Sequence, residues 1–360
     1  YNSNEKMIQY RKYLWISVWL CLPLVAFTQS SAKFHKLFRG NSISAWETYG
    51  YSVQETMDDG YVVAGNFTDT LSPYFSSLLL FKTNRNGDVI WSKTYDDIFD
   101  GDIGPNNIAI RQTPDCGYIL VESGAGFEQG WYSKVYVVKT DSLGNILWNK
   151  LYIDNSGNIG DDWAYSIELS FDGGYIIGGQ STGFQTAFGG TKNMFLLKID
   201  GAGIVQWGKV YGGINGDCQG YCVKPIDTDG DNQQDDGYIM VGAYSDTLSS
   251  WDAWVAKVDN NGNVLWSTIY GTFGIQWANE VAHSFQQTSD LGFIITGSKD
   301  TVTGGGGEDI LLMKINSGGI LQWARTYGGI IMDVGNSVEI TNDEGYAILG
   351  STLSFGVNNP

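Results

Sequence analysis

Apolar and polar positions along this chain alternate in short runs bounded by Gly, Asp and Asn. One stretch shows the pattern well: "AYSIELS" (164–170), "YIIGGQS" (175–181), "MFLLKID" (194–200) and "IVQWGKVYG" (204–212). β-rich runs separated by turn formers predict successive hairpins. "DGG" joins the first pair and "GAG" the last, while a Gly-rich loop of about a dozen residues joins the middle pair. The predicted unit is four antiparallel strands.

The unit repeats. Trp91, Trp148, Trp207, Trp266 and Trp323 mark its fourth strand, and a lysine stands nine residues before each, from Lys82 to Lys314. Six Gly-aromatic pairs open the second strand: Gly60-Tyr61, Gly117-Tyr118, Gly174-Tyr175, Gly237-Tyr238, Gly292-Phe293 and Gly345-Tyr346. A period of this length signals an array of one supersecondary unit, and four strands per unit fit a β-propeller better than a solenoid. The first strand carries small residues two apart, as in Gly50/Ser52 and Ala164/Ser166. Side chains two apart share a face, which suits crowding at a central axis.

The expected architecture is all-β: five complete blades (approximately 50–101, 107–160, 163–217, 219–276 and 278–331) and a partial sixth (334–360). "FHKLFRG" (34–40) mimics the fourth strand, so residues 33–39 are expected to close the ring beside the last blade. The sixth unit stops where its third strand is due, so the chain is expected to be a fragment.

Composition refines this picture. Forty-eight glycines, six prolines and 14% aromatics suit many short strands. A net charge of −18 argues against nucleic acid, since no basic patch could displace counterions from phosphates. Arg11 and Lys12 precede an apolar run, Tyr13 to Phe27, and small residues follow. That reads as a secretory signal peptide within residues 1–28. The expected location is therefore secreted, outer-surface or periplasmic, with no membrane span in the mature chain. Three cysteines remain, Cys116, Cys218 and Cys222, too few for a disulfide framework. A buried free thiol at Cys222 and a local Cys218–Cys222 disulfide both stay open.

The motif "DGGYIIGG…LLKIDxxGxxxWxKxYGG" resembles β-propeller repeat proteins secreted by bacteria and archaea, particularly Bacteroidetes, over residues 34–360. The resemblance implies the fold and says little of function. Members often carry a C-terminal sorting domain for type IX secretion. A weaker similarity is to the tryptophan-docking repeats of pyrroloquinoline-quinone propellers.

What repeats is scaffold, so interest falls on what breaks the repeat. Five blades place nine residues between the small residue of the first strand and the aromatic of the second. Blade four places sixteen, because "DTDGDNQQD" is inserted. Oxygen ligands at alternate positions suit a hard cation. Asp227, Asp229, Asp231 and Asp235 would give carboxylates, and Gln233 its carbonyl, to a structural Ca²⁺. The loop resembles the calcium loops of integrin α-chain propellers; a solvated acidic hairpin is the plain alternative. Aromatics at Trp131, Tyr132, Phe184, Trp251 and Trp277 fall in loops sharing one face, where a protein or glycan ligand could bind or where they simply pack. No nucleophile–base motif, phosphate loop or dinucleotide fingerprint is present. These residues point to a non-catalytic binding or structural module. The alternative is a propeller enzyme, glycan-active or quinoprotein-like.

Overall fold

The structure is a computed structural model that describes residues 45–69, 76–95, 101–103, 108–126, 132–152, 160–183, 192–212, 216–231, 233–245, 250–271, 279–300 and 307–354. Those residues contain strands and turns and no helix. The first sheet is β1 (Ala45–Glu55), β2 (Tyr61–Asp69), β3 (Ser76–Thr83) and β4 (Val89–Tyr95). In the second, β5 (Gly101–Ile103) and β6 (Ala109–Gln112) are two pieces of a first strand. Both pair with β7 (Tyr118–Gly126), which is followed by β8 (Ser133–Thr140) and β9 (Ile146–Tyr152). The third runs β10 (Asp162–Leu169), β11 (Tyr175–Ser181), β12 (Asn193–Ile199), β13 (Val205–Tyr211). The fourth runs β14 (Asp217–Pro225), β15 (Tyr238–Ser245), β16 (Trp251–Val258), β17 (Val264–Tyr270). The fifth runs β18 (Glu280–Gln287), β19 (Phe293–Asp300), β20 (Glu308–Ile315), β21 (Leu321–Tyr327). The sixth is β22 (Asp333–Ile340) and β23 (Tyr346–Thr352). All pairings are antiparallel in chain order, and first strands of neighbouring sheets touch one another. Five full sheets and a two-stranded sixth are the blades expected from the repeat. The proposed closing strand, the signal segment and residues 355–360 lie outside the described residues.

The small residues of the first strand mark a bulge. Register shifts fall at Gly50/Ser52, Ala164/Ser166, Gly220/Cys222, Ala282/Ser284 and Gly335/Ser337. Each bulge drives a carbonyl towards the second strand four residues past its aromatic. A Cβ there would lie 1.7–2.2 Å from that carbonyl, so Gly65, Gly179, Gly242, Gly297 and Gly350 admit no side chain.

Burial is concentrated between sheets. Val241, Val255, Phe285, Ile295, Leu311 and Met313 fill the fourth junction, with Trp266 and Tyr270 against them. The junctions are also stitched at their rim. The rings of Trp91, Trp148, Trp207 and Trp266 pack on the turn between third and fourth strands of the next blade. That turn reads Asx-x-x-Gly. Its glycine has φ of +73 to +78°, and an added Cβ would come within 2.8–3.0 Å of Trp91, Trp148, Trp207 or Trp266 at Gly144, Gly203, Gly262 and Gly319. A tyrosine four residues after the tryptophan donates to the same glycine's carbonyl: Tyr95 to Gly144 at 2.7 Å, Tyr152 to Gly203 and Tyr211 to Gly262 at 2.8 Å, Tyr270 to Gly319 at 2.5 Å.

The repeated lysines do more than cover apolar surface with their stems. Lys82, Lys139, Lys198 and Lys314 are buried, and each ammonium pairs with the turn aspartate of its own blade, Asp58, Asp115, Asp172 and Asp290, at 2.8–2.9 Å. Each also donates to the carbonyl of the residue after it. A buried ammonium needs such partners, because desolvation without them is costly.

Candidate functional site

Three places break the repeat. The first is the insertion of blade four. It displaces the turn aspartate, and Lys257 makes no ion pair within 4 Å to a described residue. Its desolvation lowers the ammonium pKa, with Asp236 acting against that shift. Carboxylate oxygens of Asp227, Asp229 and Asp236 lie within 4.8 Å of one another. Asp231 and Asp235 stand outside that group. Asp231 instead caps the N–H of Gln233 at 2.8 Å, and the carbonyl of Asp235 accepts from Asn260 at 2.5 Å. The chain turns at Gly230, with φ +82°, which breaks the alternation that the spacing implied and brings Asp236 in. Asp236 is itself held by Thr228, whose N–H and hydroxyl donate to Oδ2 at 2.7 and 2.8 Å.

The second is Glu122. It stands four residues past Tyr118, where every other blade has the obligatory glycine. Blade two admits it because its first strand is split. Ile103 pairs with Gly124 and Ala109 with Val121, so Glu122 and Ser123 have no first-strand partner among the described residues. The side chain is 1% exposed, and neither carboxylate oxygen has a partner among the described residues. Burial pushes its pKa well above the ordinary range. The strand-by-strand comparison of that position, all glycine but one, was a signal available in the sequence.

The third is a pair of carboxylates from neighbouring blades, Asp309 at the start of β20 and Asp333 at the start of β22. A Cβ built on Gly328 would meet Asp309 Oδ1 at 2.1 Å and Asp333 Oδ2 at 2.8 Å. The two oxygens are therefore within about 4.9 Å of each other. At the equivalent place between blades two and three, Lys134 pairs with Asp162 at 2.8 Å. Between blades four and five, Glu280 is neutralised by Lys299 at 2.6 Å. Asp309 and Asp333 have no cation within 4 Å among the described residues. Their protonation is driven apart. Burial and the Asp333 charge push Asp309 up. Burial also acts to raise Asp333, but hydrogen bonds from Thr352, Ser354 and the Gly329 N–H, the last at 2.8 Å, outweigh it and hold Asp333 down. Asp333 is 1% exposed and lines a cavity of about 580 Å³ with Tyr327, Gly328, Ser351 and Thr352. One oxygen of each carboxylate is buried without a partner.

Of the expected aromatic face, Tyr132 and Trp251 are described and half-buried. The backbone N–H of Trp251 donates to Asn279 at 2.9 Å. Trp131, Phe184 and Trp277 lie outside the described residues. The structure joins none of Cys116, Cys218 and Cys222 in a disulfide, so the local Cys218–Cys222 bridge is not formed in it. A bulge lies between Ala282 and Ser284, and the His283 ring contacts the Gly335 carbonyl of the next blade at 3.0 Å.

The strand order and the split protonation of this pair invite comparison with known folds. The chain superposes on a Penicillium chrysogenum α-L-arabinanase complexed with arabinobiose (TM-score 0.50, 11% identity, 88% of this chain and 91% of that one). It also superposes on the Fusarium graminearum α-L-arabinofuranosidase Arb93A with an iminosugar inhibitor (TM-score 0.51, 8% identity, 86% and 88%). The same enzyme family's complex with arabinobiose gives a TM-score of 0.50 at 8% identity. The chain is a β-propeller. No protein-family model matches this propeller, and no curated protein sequence does. The expectation of a non-catalytic binding module is corrected by these findings. The arabinanase and arabinofuranosidase propellers on which it superposes are glycosidases. No helix among the described residues is long and apolar enough to cross a membrane.

Proposed function

We propose that this propeller is glycan-active, cleaving a glycosidic bond with Asp309 and Asp333. The observation that carries the reading is the close carboxylate pair with opposite shifts. Two neighbouring carboxyls pushed apart in pKa divide naturally into acid and base. Asp309, the carboxyl pushed up, would be the acid that protonates the leaving oxygen; Asp333, the carboxyl held down, would attack or stabilise the sugar's anomeric carbon. Glycosidases that retain configuration hold their two carboxyls about 5–5.5 Å apart and inverting ones about 6.5–9.5 Å; the bound of about 4.9 Å between the nearest Asp309 and Asp333 oxygens is closer to the retaining separation. The fold likeness to α-L-arabinanase and α-L-arabinofuranosidase makes arabinan and arabino-oligosaccharides the first substrates to try. A signal peptide within residues 1–28 would export the activity from the cytoplasm. Product release from arabinan and from an aryl α-L-arabinofuranoside tests the proposal. Asp309→Asn and Asp333→Asn should each lose about 10²-fold or more, while Asp161→Asn, at a carboxylate that accepts the Ser133 N–H at 2.8 Å away from the pair, should stay near wild type. Equal rates in all four proteins would remove the pair from the reaction.

We also propose a structural Ca²⁺ at the blade-four insertion, with Asp227, Asp229 and Asp236 as carboxylate donors. The support is the convergence of their oxygens and the repulsion it leaves: burial together with Asp231, Asp236 and Asp229 raises the Asp235 pKa. The donor set suits a hard cation. Calcium should raise the melting temperature of the wild type and leave Asp229→Ala almost unmoved; an equal response in both would return the loop to a solvated hairpin.

A further inference from the structure

Five third strands carry the repeated lysine, and four of those lysines sit in the same socket. Lys82, Lys139, Lys198 and Lys314 are 2–5% exposed. Each ammonium is held by the aspartate two residues before the glycine that opens the second strand, and by the carbonyl of the residue after the lysine. A Cβ built on that glycine, Gly60, Gly117, Gly174 or Gly292, would meet the lysine Nζ. Charge and packing together keep such an amine protonated and shielded.

The fifth lysine has left the socket. At Gly237 the three atoms nearest a built Cβ are backbone atoms of Val258 and Asp259, not a lysine nitrogen. Gly237 alone among the six glycines at this position has a positive φ, +107°. Lys257 is half-buried and makes neither the ion pair nor the carbonyl bond with a described residue. Asp235 holds the sequence position of the clamping aspartate, but its carbonyl is tied to the Asn260 side chain at 2.5 Å. Asp236 is occupied too: its Oδ2 accepts the Thr228 N–H at 2.7 Å, the Thr228 hydroxyl at 2.8 Å and the Asp229 N–H at 3.2 Å. The seven-residue insertion thus separates a lysine from the partner that four other blades supply. Desolvation without that partner lowers the ammonium pKa.

We propose that Lys257 is a covalent-capture site whose amine takes a small neutral aldehyde, such as the open-chain form of a reducing sugar, as an imine. The nitrogen lone pair attacks the carbonyl carbon and a C–N bond forms. A proton passes from nitrogen to oxygen, and the carbinolamine loses water. No electrons change hands, so the step needs no oxidant or reductant. A desolvated lysine is the nucleophile that such imines use. The loop selects the electrophile. Asp227, Asp229, Asp231, Asp235 and Asp236 all lie on the segment that ends beside Lys257. An anionic acyl donor, such as an acyl phosphate, is repelled there, and a neutral aldehyde is not. The chemistry is independent of the Asp309–Asp333 pair.

The probe is glyceraldehyde with cyanoborohydride, which traps imines as secondary amines, and peptide mapping by mass spectrometry reads each lysine. At neutral pH Lys257 should be alkylated at least about tenfold faster than Lys82, Lys139, Lys198 and Lys314, and severalfold faster than Lys93 and Lys209. Deleting residues 227–233 restores the nine-residue spacing of the other blades and keeps Asp235 two before Gly237; Lys257 should then fall to the rate of the other four. Should the shortened chain not fold, Asp290→Asn decides by itself. It keeps the turn and frees Lys314, whose rate should rise severalfold. Acetyl phosphate should acylate Lys257 no faster than Lys93. A Lys257 rate equal to that of Lys139, or a Lys314 rate that Asp290→Asn leaves unchanged, would overturn the proposal. Preferential acylation of Lys257 by acetyl phosphate would overturn the choice of a neutral aldehyde.

Discussion

Lys198 and its partners show how one side chain holds a blade. Its ammonium, 2% exposed as a residue, meets Asp172 at 2.8 Å, the Gln206 side chain at 2.9 Å and the Ile199 carbonyl at 3.3 Å. Removing either partner of the Lys198–Asp172 pair has unequal cost. Lys198→Met leaves a partly exposed carboxylate that water can solvate, at about 1 kcal/mol. Asp172→Ala strands a buried ammonium and should cost about 2–3 kcal/mol; urea denaturation of both variants checks the order. The same clamps fix an acid limit. For Asp115 and Asp290 burial acts upward, but the lysine, the threonine hydroxyl and a backbone N–H together hold both at about 2. These depressed values stabilise the fold above the ordinary aspartate range, and that stability should be lost as pH falls from about 4 towards 2. Glu122 carries the opposite sign. Its raised pKa means that the folded state holds the proton more tightly, so stability falls as pH rises above the unfolded value of about 4.3. Glu122→Gln should therefore raise the melting temperature at pH 7–8, by an amount that vanishes below pH 4; a gain that persists at acid pH would contradict it. Neither role is legible from composition or local spacing. A lysine in a strand looks like a surface residue until its turn partner is known, and Glu122 shows only when six second strands are laid side by side.

At the scale of elements, the sequence is far more readable. Alternating runs and Gly-rich turns located all four strands of blade three to within a residue or two: "YIIGGQS" is β11 and "MFLLKID" is β12 but for its ends. The small residues of the first strand were visible too, although what they mark is a bulge that presses a carbonyl onto the neighbouring glycine. Period alone could not show this, because a bulge adds a residue to one strand without altering the pattern of the other. The tryptophan–glycine stitch makes a sharp prediction. Gly203→Val strains a positive φ and drives a side chain into Trp148, so it should destabilise the protein by about 2–4 kcal/mol. Tyr152→Phe, which loses only the hydroxyl bond to the same glycine, should cost about 1 kcal/mol. Similar losses for both would deny the glycine its place under the indole.

Across the whole molecule, the blade count was written in the repeat, and the chemistry was not. Asp309 and Asp333 belong to different blades, and no linear motif joins them; their proximity comes from the return of the chain through Gly328 towards the axis. The acidic insertion advertised itself through local spacing, yet the turn at Gly230 exchanged Asp231 and Asp235 for Asp236. Aromatic loops that looked suited to a ligand fall largely outside the described residues. The Asp309–Asp333 pair thus carries the functional claim. The pH dependence of kcat/KM for arabinan or arabino-oligosaccharide hydrolysis tests it most directly. A bell is predicted, its acid limb set by the depressed Asp333 and its alkaline limb by the raised Asp309, with Asp309→Asn abolishing the alkaline limb along with most of the rate. No hydrolysis, or a profile that Asp309→Asn leaves unchanged, would contradict the assignment.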